Sequence, residues 1–187
     1  MSELSLGQLK GLTVNNNVIS VPAGHTLKQG GSIIQVVQAT TTTAQTFNAG
    51  SPDNKTFYDI AGLSITFTPK FANSKILLEG SISVGNYVNA YNAFLRFSRD
   101  GAGVGTSNSL GNGFQAAAGF RCAVDAQPGS ISMNYLDSSN TVLPITYKVQ
   151  ICNTGGSSYP AYVNRSSQTS AWEAGMISTF TIMEVMQ

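Results

Sequence analysis

Charge is what this chain has least of. Only 10% of its 187 residues are Asp, Glu, Lys or Arg, ten bases against nine acids, for a formal net charge of +1. Nucleic-acid binding needs clustered Lys and Arg, and no such cluster is present; acidic tails are missing too. Nucleic acid is therefore not an expected partner. Histidine occurs once, as His25, in the turn-like stretch 22–25. Any Ser-His-Asp or Cys-His arrangement would have to use it, far along the chain from both cysteines. Those cysteines, Cys122 and Cys152, are too few for a disulfide framework. Each falls in a strand-like run, where a thiol packs as a small hydrophobe. A bridge would need their Cα atoms within about 7 Å. Two separated cysteines and one histidine also lack the ligand spacing of a zinc site. Loop oxygens near Asp53 and Asp137 could hold Ca²⁺, but no EF-hand-like loop exists. No cofactor is expected.

Long apolar runs are missing as well. None approaches the roughly 20 residues that cross a bilayer as a helix, so membrane insertion is not expected. The opening MSELSLGQLKGL has Glu3 before any base and no continuous apolar core, so no secretory signal is read there. No 3.6-residue pattern persists over ten or more residues. Gly101, Gly103 and Gly105 are too closely spaced for a dinucleotide fingerprint, lack a following helix, and sit on a hairpin. Glycan hydrolysis needs only two carboxylates, and Asp100, Asp125, Asp137 and Glu173 fall in loop-like stretches. Loop carboxylates are usually turn-formers, and Asp100 already has that role beside Gly101. No catalytic residue is assigned and no enzyme activity is expected.

What the chain does have is two-residue alternation. Residues 129–165 carry it most clearly. Ile145, Tyr147, Val149 and Ile151 occupy one phase; Thr146, Lys148, Gln150 and Cys152 occupy the other. A strand sends successive side chains to opposite faces, so this reads as a strand with one buried face. Ile131, Met133 and Tyr135 repeat the pattern upstream, and Tyr162 and Val163 begin a third run. Polar breaks at 138–140 and 153–158 separate them, which predicts an antiparallel meander.

The rest of the chain from residue 32 reads similarly. Residues 32–39 are apolar on both phases, as in a strand covered on both faces. Residues 40–43, all Thr, continue that strand or make an exposed edge. A turn is expected at 49–55 around Pro52, Asp53 and Asn54. Leu63, Ile65 and Phe67 alternate up to Pro69, which ends the ladder. Ile76, Leu78, Gly80, Ile82 and Val84 form one phase of a longer strand; Ala93, Leu95 and Phe97 form another. Asp100-Gly101 then predicts a type I′ hairpin turn. A Gly-, Ser- and Asn-rich loop follows at 103–113, and 114–124 reads as a strand with small side chains. The last run, 176–185, is apolar on both phases and is placed centrally in a sheet. Many short strands divided by turns predict an all-β fold, a jelly-roll-like antiparallel β-sandwich.

Residues 1–31 differ. Leu4, Leu6, Leu9, Leu12 and Val14 lie among Gly and Asn, and Val18, Ile19 and Val21 make a short extended piece. Such a piece cannot bury its side chains alone. It reads as an extended N-terminal arm for attachment or docking, or an arm folded on its own domain, with Gly30-Gly31 as the hinge. The division is thus 1–31 as arm and 32–187 as head. Tyr87, Tyr91, Tyr159, Tyr162 and Trp172 fall in or beside loops. Their flat, amphipathic rings suit a sugar or a subunit contact, or cap the core.

Six stretches, in order, carry a further signal: GSIIQVVQA at 31–39, DIAGLSITFTPKFANSKILLEGSISV at 59–84, FLRFSRDGAGVG at 94–105, YLDSSNTVLPITYKVQI at 135–151, YVNRS at 162–166 and STFTIMEV at 178–185. Together they resemble a family of bacteriophage virion proteins, particularly those of cyanophages and other aquatic phages. NNNVISVPAGHTLKQ at 15–29 is similar to the linker these proteins carry before the domain. The resemblance implies a homotrimeric β-head at the end of a tail fibre or similar appendage, made in the host cytoplasm and located on the virion. The arm, with Leu4, Leu6, Leu9, Leu12 and Val14, would attach to other virion proteins. The head would touch the host surface, with loops 86–91, 106–113 and 157–172 available for a glycan. A capsid decoration or head-fibre protein is the alternative, and a glycan-degrading enzyme a more distant one.

Overall fold

The computed structural model describes residues 30–48, 56–86, 91–108, 113–121, 126–168 and 174–187. Its long strand β4 (Lys75–Asn86) shows how the sequence sets the faces. Ile76, Leu78, Ile82 and Val84 are fully buried, while the alternate residues face outward. β4 pairs along one edge with β8 (Pro128–Ser138) and along the other with β10 (Ala161–Val163) and β11 (Ser178–Val185). β11 pairs in turn with β1 (Ile33–Thr41), and β10 with β2 (Gln45–Phe47). β1 and β2 thus share one strand position, and β10 and β11 share another.

The second sheet runs β3 (Tyr58–Phe67), β9 (Ile145–Asn153), β5 (Ala93–Arg99). The outer edge of β5 is taken by β6 (Ala102–Val104) and β7 (Ala118–Phe120). Every pairing is antiparallel. Two four-position sheets wound this way are a jelly roll, the architecture the alternation predicts.

The core lies between the sheets. Phe97 from β5 and Phe180 from β11 stack with centroids 5.6 Å apart, joining the two layers. Tyr147, Leu95, Ile151 and Ile182 are fully buried around them. Burying each such side chain stabilises the fold by about 1.5–3 kcal/mol. The Asp100-Gly101 turn has positive φ at both residues, 48° and 90°, as a type I′ turn requires, and joins β5 to β6.

Several expectations need correction, among them the 103–113 loop, whose first two residues belong to β6. Residues 129–165 are not a meander: β8 and β10 belong to one sheet and β9 to the other. Alternation fixes which side of a strand is buried, and that side is the same whether the next strand lies beside it or across the core. β1 is not covered on both faces. It is an edge strand, and Ile33, Val36 and Val37 are exposed. Finally, only residues 118–120 of the 114–124 stretch are a strand among those described.

The two ends of the sandwich differ. At one end, Lys75 pairs with Val185 and Ser138, and the Gly31 amide donates to the Met186 carbonyl at 2.7 Å. Chain entry and exit therefore lie together. Buried Glu184 closes this end by accepting the Lys70 and Phe71 amides and the Gln35 side-chain amide. At the other end, Asn86 pairs with Ala161 and Gly85 with Pro128. The twelve residues of β4 put about 35 Å between the ends, at roughly 3.3 Å per residue.

Candidate contact surface at the loop end

The end remote from chain entry is built around Tyr91 and Tyr159. Their rings stack with centroids 4.8 Å apart and planes at 23°. Local hydrogen bonding sets the pair. The Asn153 side chain donates to the Tyr159 and Gly156 carbonyls and accepts the Gly155 amide, shaping the 154–160 connection. The Asn86 side chain donates to the Tyr91 carbonyl, and the Asn92 amide donates to the Thr154 hydroxyl. Gly155 is required by proximity: a Cβ there would lie 2.5 Å from the Tyr159 carbonyl oxygen and 3.0 Å from the Tyr91 ring. Tyr159 is 36% exposed, so part of the pair faces solvent.

Tyr162 is placed differently. It lies within β10, 7% exposed, with the Arg165 guanidinium 4.8 Å over its ring. It is a wall residue rather than a loop residue. Tyr87, Trp172, and the arm residues Leu4, Leu6, Leu9, Leu12 and Val14 lie outside the described residues, as do His25, Cys122, Asp53, Asp125 and Glu173.

Of the candidate carboxylates, Asp137 and Asp100 can be placed, and both have structural work. Asp137 is not in a loop; it is in β8, accepting from the Tyr147 hydroxyl at 2.8 Å and from Arg99 Nη1 at 3.0 Å. Arg99 also donates to the Ser138 and Ser139 carbonyls, so this cluster ties the two sheets together. Asp100 accepts the Thr146 amide at 2.9 Å. Asp59 accepts from Lys148 Nζ at 2.6 Å and from Gln150 Nε2 at 2.7 Å. Burial works to raise its pKa, but those two hydrogen bonds and the Lys148 charge outweigh it, and the net shift is downward. Among the described residues no group of three His, Cys, Asp or Glu could hold a metal ion.

Cys152 is a buried thiol on the outer side of β9, and burial pushes its pKa up to about 11, with the Arg96 charge pulling the other way. Arg96 itself lies 4.0 Å over the Phe57 ring. Concavities lie over both sheets. A shallow polar trough of about 290 Å³ runs over the first sheet, lined by Glu79, Ser81, Ser132, Asn134, Thr179 and Thr181. An apolar recess of about 460 Å³ sits beside the Phe94–Phe114 stack, flanking the 106–113 loop. Sequence reasoning missed the trough because Ser, Thr and Asn on an exposed strand phase look like ordinary solvated positions.

No helix among the described residues is long and apolar enough to cross a membrane. No family model matches the chain, and no curated protein matches it. Solved structures that match include one of the infectious bursal disease virus Gt strain, at 14% identity and TM-score 0.42, covering 90% of this chain and 46% of that one. The VP2 subviral particle of infectious bursal disease virus matches at 15% identity and TM-score 0.43, with 91% and 41% covered. T=1 particles derived from infectious bursal virus match at 11% identity and TM-score 0.46, with 90% and 40% covered. The chain thus spans less than half the length of these matched chains. The jelly-roll assignment rests on the strand pairings above and not on these likenesses.

Proposed function

We propose that this chain is a structural virion protein of a bacteriophage, a trimeric tail fibre or similar appendage whose β-head contacts the host cell surface. The observation that carries this reading is the polarity of the head. Chain entry, marked by the Gly31–Met186 hydrogen bond, is at one end of the sandwich; the Tyr91–Tyr159 stack is at the other. Residues 1–31 at the first end would join the head to other virion proteins, leaving the loop end pointing away from the particle. A stacked tyrosine pair offers flat apolar faces with polar edges, a surface suited to a sugar ring. Three such sites on one head would gain avidity from weak single contacts. The six sequence stretches resembling phage virion proteins support the same reading.

The test is competition and placement. Purified full-length protein added to host cells should reduce adsorption of the phage that encodes it, and a labelled antibody should decorate the tail. Absence of competition at saturating protein, with label spread in hundreds of copies over the shell, would replace this reading with a capsid decoration protein.

A further inference from the structure

One row of side chains on the outer face of the first sheet departs from its surroundings. Register places Val36, Met183, Leu77 and Leu136 directly beside one another across β1, β11, β4 and β8. The next row towards the loop end is Gln38, Thr181, Glu79 and Asn134, and the one after it Thr40, Thr179, Ser81 and Ser132. The apolar row reaches both edges of the sheet and is most exposed there, with Val36 at 57% and Leu136 at 51%. Each rim is extended by further exposed apolar residues: Ile33 and Val37 on β1, Val142 and Leu143 in the 139–144 connection after β8. Large apolar side chains grouped in this way mark a contact surface.

We propose that the occupant is a second copy of this chain, and that copies close into a ring in which the β1 edge of one packs against the β8 edge and 139–144 connection of the next. Three observations select this arrangement. An axis parallel to the strands leaves every residue at its own height, so two patches that meet about it must lie at equal height on one chain. Val36 and Leu136 do, because they share a row. Second, the two rims are different surfaces at opposite edges of one sheet, as a head-to-tail contact requires. Third, the neighbouring ammonium groups are already held within the chain, Lys70 by the Ile34 carbonyl at 3.3 Å and Lys75 by the Ser138 hydroxyl at 2.7 Å. The ring also explains β1. Its sequence is that of a strand covered on both faces, and one chain alone leaves it exposed. All chain entries then emerge at one end, so the leading arms run together. A dyad across the strands would send them to opposite ends.

The number three comes from the function proposed above; the contact surfaces do not depend on it. Native mass spectrometry of the 187-residue chain should give three times its 19.7 kDa mass. V36D and L143D should each reduce this to one chain, with circular dichroism showing an intact fold. An equimolar mixture should recover a two-chain species, because each variant keeps the rim the other has lost. Should the aspartates prevent folding, the doubly substituted V36C/L136C chain decides: oxidation should yield covalent two- and three-chain products. A trimer indifferent to both aspartates, or forming no interchain V36C–L136C bond, overturns the surface but leaves the trimer. A wild-type monomer overturns both, while the adsorption experiment still reads host contact separately.

Discussion

The Tyr147 hydroxyl donates to Asp137 across the sandwich at 2.8 Å, on the same carboxylate oxygen that Arg99 reaches at 3.0 Å. Tyr147 is fully buried and Asp137 nearly so. Tyr147→Phe should therefore lower unfolding free energy by about 1.5–3 kcal/mol, the range for a hydrogen bond to a charged group. Arg99→Met removes the counter-charge and two carbonyl contacts. It should cost more, about 3 kcal/mol, the lower end of the range for a fully buried pair, because Arg99 keeps 25% side-chain exposure. Urea unfolding of the two variants checks the order.

Alkaline pH should destabilise the head through Cys152 first. The thiol is pushed from 9.0 up to about 11 by burial, against the pull of Arg96. Between those values the unfolded chain has lost a proton that the folded chain keeps, so stability is complete below pH 9 and falls as pH rises. The full difference is about 2–3 kcal/mol. Tyr147, raised from 10.0 mainly by burial and then by its hydrogen bond to Asp137, adds a decline of the same sign above pH 10. Cys152→Ala should be less stable at neutral pH and lose less on going to pH 10. Subtracting its urea midpoints from those of the unsubstituted protein isolates the thiol.

The fold was largely legible because it is written in alternation. Ile145, Tyr147, Val149 and Ile151 are buried as their phase requires, and Asp100-Gly101 makes the expected turn. The central position of the last strand was legible too, since β11 lies between β1 and β4. Sheet membership was not. β8 and β9 have the same pattern and sit in opposite sheets, because periodicity records burial and not partner. Nor was the burial of Glu184, which is satisfied by amides that only the closed fold brings to it. At the loop end, the tyrosines were visible as residues near loops. Their pairing was not, since the Tyr91–Tyr159 stack is set by Asn153 and Asn86 through contacts between different connections.

Asn164 should be the costliest polar residue to remove on the β1–β2 side. Its side chain donates to the Thr41 and Thr43 carbonyls, bridging the break between β1 and β2, and accepts from the Ser178 hydroxyl at 2.6 Å, where β11 begins. It also adopts φ of 61°. Asn164→Gly keeps that backbone and loses only the bridges, for about 2–3 kcal/mol. Asn164→Ala should lose about 1 kcal/mol more, from the positive φ. Hydrogen exchange at Thr41, Ser178 and Thr179 should rise in both variants, ahead of exchange in β9.

Gly155→Ala isolates the tyrosine pair from the rest of the head. The added methyl would fall 2.5 Å from the Tyr159 carbonyl oxygen and 3.0 Å from the Tyr91 ring, so the 154–160 connection must move and the stack must open. The core is remote from this change, and unfolding free energy should fall by about 1–3 kcal/mol, the range for local overpacking. Competition for phage adsorption should weaken at least tenfold if the stacked rings are the contact, because geometry at a flat aromatic face is lost together with its polar edge. Tyr159→Ala should do the same without the backbone shift. Tyr162→Phe, altered within a buried wall and still able to carry Arg165 over its ring, should leave competition unchanged. Equal loss in all three would assign the effect to general loosening of this end. Loss in the first two alone would assign it to the ring pair.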